Sequence, residues 1–248
     1  MELTALALEF RGRLVASWAL SVGGPLASQA GPQLIANPLY GPEAQDVNDV
    51  RVDMREPVTD PPAVMLSDGV VMLRPWSNSD ASFILGACAD PAIQRYSVPT
   101  PPRSIAEAAA VIGEIELAWQ KFASSGRPSG VAFAIVDAAS GDLVGLCGID
   151  EWSNADVAQI GYWIAAGARG RGFATRGVIL LTRWLFELGA ARVFLTIVAE
   201  NVDSAAVARR AGFAYEGTMR SHGVWQGRRS DVMWFAALPV EWAERHDR

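Results

Sequence analysis

From residue 64 onward the apolar positions of the chain alternate between two spacings. Residues 70–76, an apolar run broken by Arg74 and turning at Pro75, predict a first strand. Asn78-Ser79-Asp80 can cap a helix running to about Cys88, and Asp90-Pro91 stops it. Ser104 with Glu107 forms a capping box ahead of a helix over 108–122, whose apolar residues fall at 108, 111, 112, 115, 118, 119 and 122. Strands over 131–137 and 143–149 flank the turn Ala139-Ser140-Gly141-Asp142, and 156–165 reads as a third adjacent strand. A helix over 175–188 places Ile179, Leu180, Trp184, Leu185 and Leu188 on one face and ends at Gly189. Residues 192–198 read as a buried strand and 202–210 as a short helix ending at Gly212. Residues 213–219 and 231–238 make a closing hairpin around a polar loop over 221–229, and Glu241-Trp242 leads into a charged, frayed tail at 243–248. The order is β-α-α-β-β-β-α-β-α-β-β, an α/β plan with a mixed sheet over residues 64–242.

The first 63 residues do not share this order. Two apolar runs, 3–10 and 14–22, flank Arg11-Gly12-Arg13 and suggest a β-hairpin, with helix as the alternative. Glycine and proline pairs then recur from Gly23 to Pro62, which argues against regular structure. Residues 1–63 therefore read as an extension: a docked arm without chemistry, or alternatively a substrate-capturing or homodimer-forming one. The run at 14–22 also has the length of a secretory core, but Met1-Glu2 and Glu9 make a poor basic start for a signal.

Composition narrows the setting. Half of the 248 residues are hydrophobic, ample for a sizeable core. Twenty-seven acidic against 21 basic residues give a net charge of −6, which speaks against a global grip on nucleic acid. No apolar run is long enough to suggest a membrane span. Cys88 and Cys147 form neither a disulfide framework nor a metal-ligand spacing, so a reduced cytoplasm is the plain expectation. Of the nine tryptophans, Trp119, Trp184 and Trp234 read as core, while Trp76, Trp152 and Trp225 fall near predicted loops and could wall an acceptor site.

The chemistry concentrates in residues 159–213. A strand enters a loop bearing Gly170 and Gly172, and a helix follows. Backbone N–H groups and the helix dipole make such a loop an anion site, and glycines let the anion approach closely. Arg169, Arg171 and Arg176 place three cations around it, so phosphate or pyrophosphate is the expected ligand. The spacing is neither a P-loop nor a dinucleotide fingerprint. Arg169-Gly170-Arg171-Gly172-Phe173-Ala174 instead fits R/Q-x-x-G-x-G/A. With Ile160-Gly161-Tyr162-Trp163-Ile164 before it, and Asn201-x-x-Ser204 and Ala211-Gly212-Phe213 after it, the chain resembles the GCN5-related N-acetyltransferase (GNAT) superfamily. Within that superfamily it looks like the ribosomal-protein N-terminal acetyltransferase (RimJ/RimL-type) branch.

The resemblance implies an acyl-CoA N-acyltransferase fold whose central mixed sheet splays, here between the strands 157–165 and 192–198, to admit the pantetheine arm of acetyl-CoA. It implies a cofactor site of Ile164, Ala165, Arg169, Gly170, Arg171, Gly172, Phe173, Ala174, Thr175 and Asn201. An amide near Ile164 or Ala165 would serve the developing oxyanion. The tyrosine that many relatives carry seven residues after the asparagine is Ala208 here, so the resemblance passes the thiolate-facing role to Ser204. Independently of the family, Asn201 and Ser204 fit a helix cap and its first turn. His222, one of two histidines, could accept the amine proton; Asp150 and Glu151 after the third strand are the alternative, of which strict alternation points only one into the cleft. Gln159 stands where this branch often carries an acid. The implied activity is direct attack of a neutral amine, from a protein N-terminus or a small molecule, on acetyl-CoA in a ternary complex. The alternatives are a coenzyme-A-binding sensor or scaffold without turnover, and transfer of a longer acyl group.

Overall fold

The computed structural model describes residues 64–98, 100–225 and 227–246, so the expectations for 1–63 lie outside the described residues. Eight strands form one sheet: β1 (Leu66–Ser67), β2 (Val71–Pro75), β3 (Ala132–Asp137), β4 (Leu143–Trp152), β5 (Val157–Ile164), β6 (Arg192–Val198), β7 (Ala214–Trp225) and β8 (Arg228–Ala237). Their spatial order is β1-β2-β3-β4-β5-β6-β8-β7. Every neighbouring pair is antiparallel except β5 and β6, which are parallel. Among the described residues six α-helices accompany the sheet: α1 (Ala81–Cys88), α2 (Pro91–Tyr96), α3 (Ile105–Ser125), α4 (Phe173–Glu187), α5 (Val202–Arg210) and α6 (Pro239–His246).

The helices begin where the side chains dictate. Ser104 accepts from the Glu107 amide at 3.1 Å and Glu107 accepts from the Arg103 amide at 2.9 Å, a reciprocal cap that starts α3. Ala108, Ile112, Ile115 and Trp119 form its buried stripe. Trp119 meets Phe133 of β3 edge-on at 4.9 Å between centroids and Trp184 of α4 at 6.2 Å. The expectation that Trp119 and Trp184 are core holds.

Three local expectations need correction. Asp90-Pro91 ends α1, yet Asp90 also caps a new helix by accepting from the Ala92 amide at 2.7 Å, with Pro91 in its first turn. The predicted polar loop over 221–229 is mostly strand: β7 and β8 stay paired out to Trp225 with Arg228. Bulges between Tyr215 and Gly217 and between Met219 and Gly223 destroy the period-two pattern there. At the second bulge the Asp231 carboxylate accepts from the Ser221 amide at 2.7 Å and Arg229 donates to the Ser221 carbonyl at 3.0 Å. Finally, the frayed tail is α6, anchored by buried Trp242 against Phe186 and Phe213 and stacked on His246 at 4.0 Å.

Ahead of α1, a bidentate ion pair fixes the entry of the chain. Arg74 holds Asp80 at 2.7 and 3.0 Å, and the Ser77 amide donates to the same carboxylate at 2.9 Å. Burial pushes the Asp80 carboxyl up, but Arg74 and the Ser77 amide more than offset this, and its pKa ends below the ordinary value. Asp80→Ala strands a half-buried guanidinium and is expected to destabilise the fold by about 3 kcal/mol in denaturant titrations. A depressed folded pKa means the stabilisation is present above the unfolded carboxylate range and is lost as pH falls through the folded value. The gap between wild type and Asp80→Ala should accordingly shrink only below about pH 4.

Candidate functional site

β5 and β6 pair at three rungs only: Val157 with Arg192, Ala158 with Val193 and Gln159 with Phe194. Beyond Gln159 they part, and a cleft of about 470 Å³ opens between them. The buried Gln159 side chain closes its floor, donating to Thr196 Oγ1 at 3.1 Å across the gap. On the other edge β5 stays bonded to β4, and the Ala165 amide donates to the Val144 carbonyl at 2.9 Å. Strand amides alternate between edges, so those of Tyr162 and Ile164 face the β6 side, where the partner strand has left. Ala165 is therefore not a free donor, and among the two amides named from the sequence only that of Ile164 faces the gap.

The glycine loop forms one lip. Gly170 and Gly172 sit at φ +73° and +82°, and a Cβ built at either would meet no heavy atom within 4 Å beyond its chain neighbours. Gly172 is the N-cap of α4 and brings no capping side chain, leaving amides of the first turn without an intrahelical partner. Gly170, Gly172, Phe173, Ala174 and Thr175 all line the cleft. Unpaired amides, a helix N-terminus and open space together suit an anion such as a pyrophosphate.

The three arginines are not the loose cations that the sequence suggested. Arg169 binds Asp90 at 2.7 Å and donates through Nε to the Ile164 carbonyl at 3.1 Å. Arg171 binds Asp137 at 2.9 Å, lies over the Phe173 ring and is not among the residues that line the cleft. Arg176 binds Asp68 at 2.7 Å. Each pair joins a guanidinium in contact with solvent to a more deeply placed carboxylate. What they do is tie the loop to α2, to β3 and to the turn before β2.

The opposite wall is α5. The Asn201 side chain caps it by accepting from the Ser204 amide at 3.2 Å, as the cap reading expected. Asn201 and Ser204 both line the cleft, as does Tyr162, whose hydroxyl lies 2.8 Å from Ser204 Oγ and 3.2 Å from the Ser204 carbonyl. Ala208 is fully buried beneath. Ala92, Ile93, Tyr96 and Ser97, on α2 and just past its end, line another side.

A break in register between Ile149 and Glu151 puts Asp150 into the cleft and leaves Glu151 exposed outside it. Glu151, one of the catalytic candidates, is thus not brought to the site, and its neighbour is. The Asp150 side chain keeps some solvent contact through the cleft, but protein atoms surround it, and this burial pushes its carboxyl well above the ordinary carboxylate range. His222 is not among the lining residues either; it sits half-buried in β7 with its ring 6.2 Å from that of Trp234. Trp234 is itself half-buried, stacked on Phe194 at 5.1 Å. Trp76 and Trp152, expected near an acceptor, are core residues: Trp76 stacks on Phe83, and Trp152 donates to Asp156 at 3.1 Å. Both cysteines are buried, and burial pushes the Cys88 thiol up to about 11 and that of Cys147 higher still. Neither therefore offers a thiolate nucleophile.

Sequence reasoning did not single out Tyr162, because alternation alone could not say whether Tyr162 or Trp163 faced the core. It also missed α2. The one signal for it was Asp90-Pro91-Ala92, a capping residue followed by proline at the first helical position.

Known proteins resemble the chain in sequence and in fold. A curated Bacillus subtilis (strain 168) protein named as a ribosomal N-acetyltransferase, YdaF, is 35% identical over 102 residues, 39% of this chain and 56% of that protein. The chain thus spans a little over half the length of that relative. A solved GCN5-related N-acetyltransferase from Brucella melitensis is 29% identical with a TM-score of 0.56, over 74% of this chain and 82% of that one. RimL, a ribosomal alpha-N-protein acetyltransferase solved with coenzyme A, shares the fold at a TM-score of 0.60 and 21% identity, over 71% of this chain and 98% of that one. Residues 71–214, more than half of the chain, match the family model of the acetyltransferase (GNAT) domain, and the protein belongs to that family.

Proposed function

We propose that this protein is an N-acetyltransferase that carries an acetyl group from acetyl-CoA to a primary amine by direct attack within a ternary complex. The observation that carries the reading is the meeting of an open glycine loop at the N-terminus of α4 with a parallel strand pair that parts after three rungs. Acetyl-CoA supplies the acyl group as a thioester. The amides around 170–174 hold the pyrophosphate, and Thr175 adds a hydroxyl. The unpaired β5 amides of Tyr162 and Ile164 take the place of a missing strand along the pantetheine arm. They also lie where a carbonyl oxygen gathering negative charge needs donors. Ser204 faces the leaving sulfur. Asp150, whose carboxyl burial pushes well above the ordinary carboxylate range, takes the proton that the acceptor amine must lose.

The names of YdaF and RimL support a protein α-amine as the acceptor. The test is calorimetric binding of coenzyme A, followed by release of its free thiol from acetyl-CoA with ribosomal-protein N-terminal peptides and with small amines. Peptide-dependent release is the expected result. Release with small amines alone moves the acceptor to that class, and binding without release from any amine leaves a coenzyme-A sensor. In the same assay Ser204→Ala is expected to lower turnover roughly tenfold or more while coenzyme A affinity stays within a few fold.

A further inference from the structure

Ser204 lies in the first turn of α5, and among the described residues its hydroxyl has one partner, the Tyr162 phenol across the cleft at 2.8 Å. The same phenol lies 3.2 Å from the Ser204 carbonyl, to which it can only donate. The Ser204 amide is held by Asn201 at 3.2 Å, so the residue is gripped at three atoms. Two hydroxyls and one carbonyl share two protons, and this allows two arrangements. In one, the phenol donates to the carbonyl and the Ser204 hydroxyl donates to the phenol. In the other, the phenol donates to Ser204 Oγ, and the Ser204 proton is released toward the cleft. Each arrangement keeps Tyr162 hydrogen-bonded, so hydroxyl rotation alone interconverts them.

We propose that Tyr162 is a positioning residue for the leaving sulfur: it holds the Ser204 hydroxyl at the cleft wall and, by exchanging donor roles with it, frees the Ser204 proton to hydrogen-bond a thiolate of coenzyme A. This rests on the coenzyme A reading above. Tyr162 comes from β5, beyond the last rung shared with β6, and α5 is anchored from the far side of the cleft. The Tyr162–Ser204 contact therefore exists only where the strands have parted. It takes over a task for which Ala208, fully buried, has no hydroxyl.

The phenol is not itself the proton source. Burial pushes its pKa above the ordinary value of 10, further than the Ser204 hydrogen bond pulls it back. A thiol ionises near 8.5, so proton transfer from this phenol to a thiolate runs uphill by more than one unit. In the transfer, the amine nitrogen forms the new bond to the acyl carbon and the carbon–sulfur bond breaks with its electron pair on sulfur. The proton lost by the amine matches the one finally gained by the thiol. Tyr162 ends with the proton it began with.

The experiment titrates the thiol of coenzyme A bound to the full chain, followed by the ultraviolet absorbance of the thiolate. Wild type, Tyr162→Phe, Ser204→Ala and the double variant are compared, with circular dichroism melts as the folding control. In wild type the bound thiol should ionise about one unit below free coenzyme A, the effect of one hydrogen bond to the charged form. Tyr162→Phe should return most of that shift, and the double variant should match Ser204→Ala, because the phenol acts only through the serine. In turnover, Tyr162→Phe should lower kcat about tenfold with the KM for acetyl-CoA unchanged. A Tyr162→Phe protein that folds and titrates like wild type overturns the inference, and so do additive effects in the double variant. Either result leaves the acetyltransferase reading standing. Failure of wild type to bind coenzyme A overturns both.

Discussion

Gly172→Val is expected to abolish coenzyme A binding, with affinity falling by at least roughly a hundredfold, about 3 kcal/mol. Gly172 sits at φ +82° in the left-handed region, where a β-branched residue is strained by roughly 1–2 kcal/mol. That strain acts on the fold. The larger effect acts on the site, because the new side chain enters space that no protein atom occupies and that an anion must share with the loop amides. Gly189 separates the two. It has φ +92°, also with open space around its Cβ, but it follows the far end of α4 and does not line the cleft. Gly189→Val should therefore lower the melting temperature by a similar amount and leave binding intact. Calorimetry with coenzyme A, beside thermal melts of both variants, checks this. Tight binding by Gly172→Val contradicts the assignment of the loop.

The loop was legible in the sequence because its function depends on backbone conformation, and glycine is the residue that advertises it. The helices α3 and α4 were legible for a related reason: Ile112, Ile115 and Trp119 repeat at helical spacing between the end signals Ser104 and Gly126, and for α4 the face read from the sequence holds at Leu180, Trp184 and Leu185, though it left out fully buried Leu181 and took in exposed Leu188. What side chains do across space was not legible. The three loop arginines read as free positive charge, yet their partners, Asp90, Asp137 and Asp68, lie 34 to 108 residues away or on another element. Local irregularity hid the rest. One bulge in β4 exchanged Asp150 for Glu151 at the cleft, and two bulges in β7 made a strand look like a polar loop and placed His222 beside Trp234 instead of the cleft. A bulge changes which way a side chain points without changing the composition around it, so periodicity cannot report it. The Tyr162–Ser204 contact is of the same kind: 42 residues separate the partners, and only the parting of β5 from β6 brings them face to face.

Asp150→Asn is expected to lower turnover by about two orders of magnitude and, in the same protein, to raise stability at neutral pH. Both follow from one cause. Burial disfavours the charged carboxylate and pushes the Asp150 pKa well above its ordinary value. Proton acceptance needs the ionised form, so kcat/KM for wild type should rise with pH along a limb lying above the usual carboxylate range. That limb should vanish in Asp150→Asn, which keeps the shape and loses the base. The stability sign is the opposite. Between the unfolded and folded pKa values the folded state binds a proton that the unfolded state has lost, so the contribution of Asp150 is full below the unfolded value and is lost as pH rises through the folded one. An asparagine has no such loss. Its melting temperature should match that of wild type in acid and exceed it once Asp150 ionises. A structural role predicts the reverse, a variant that is less stable and only indirectly slower. An unchanged pH–rate profile in Asp150→Asn removes it as the base, and the raised carboxyl is then only the consequence of a buried bulge. The paired outcome, slower and more stable, is what a proton acceptor held in an unfavourable environment produces, because the same desolvation that raises its basicity is borne by the folded state.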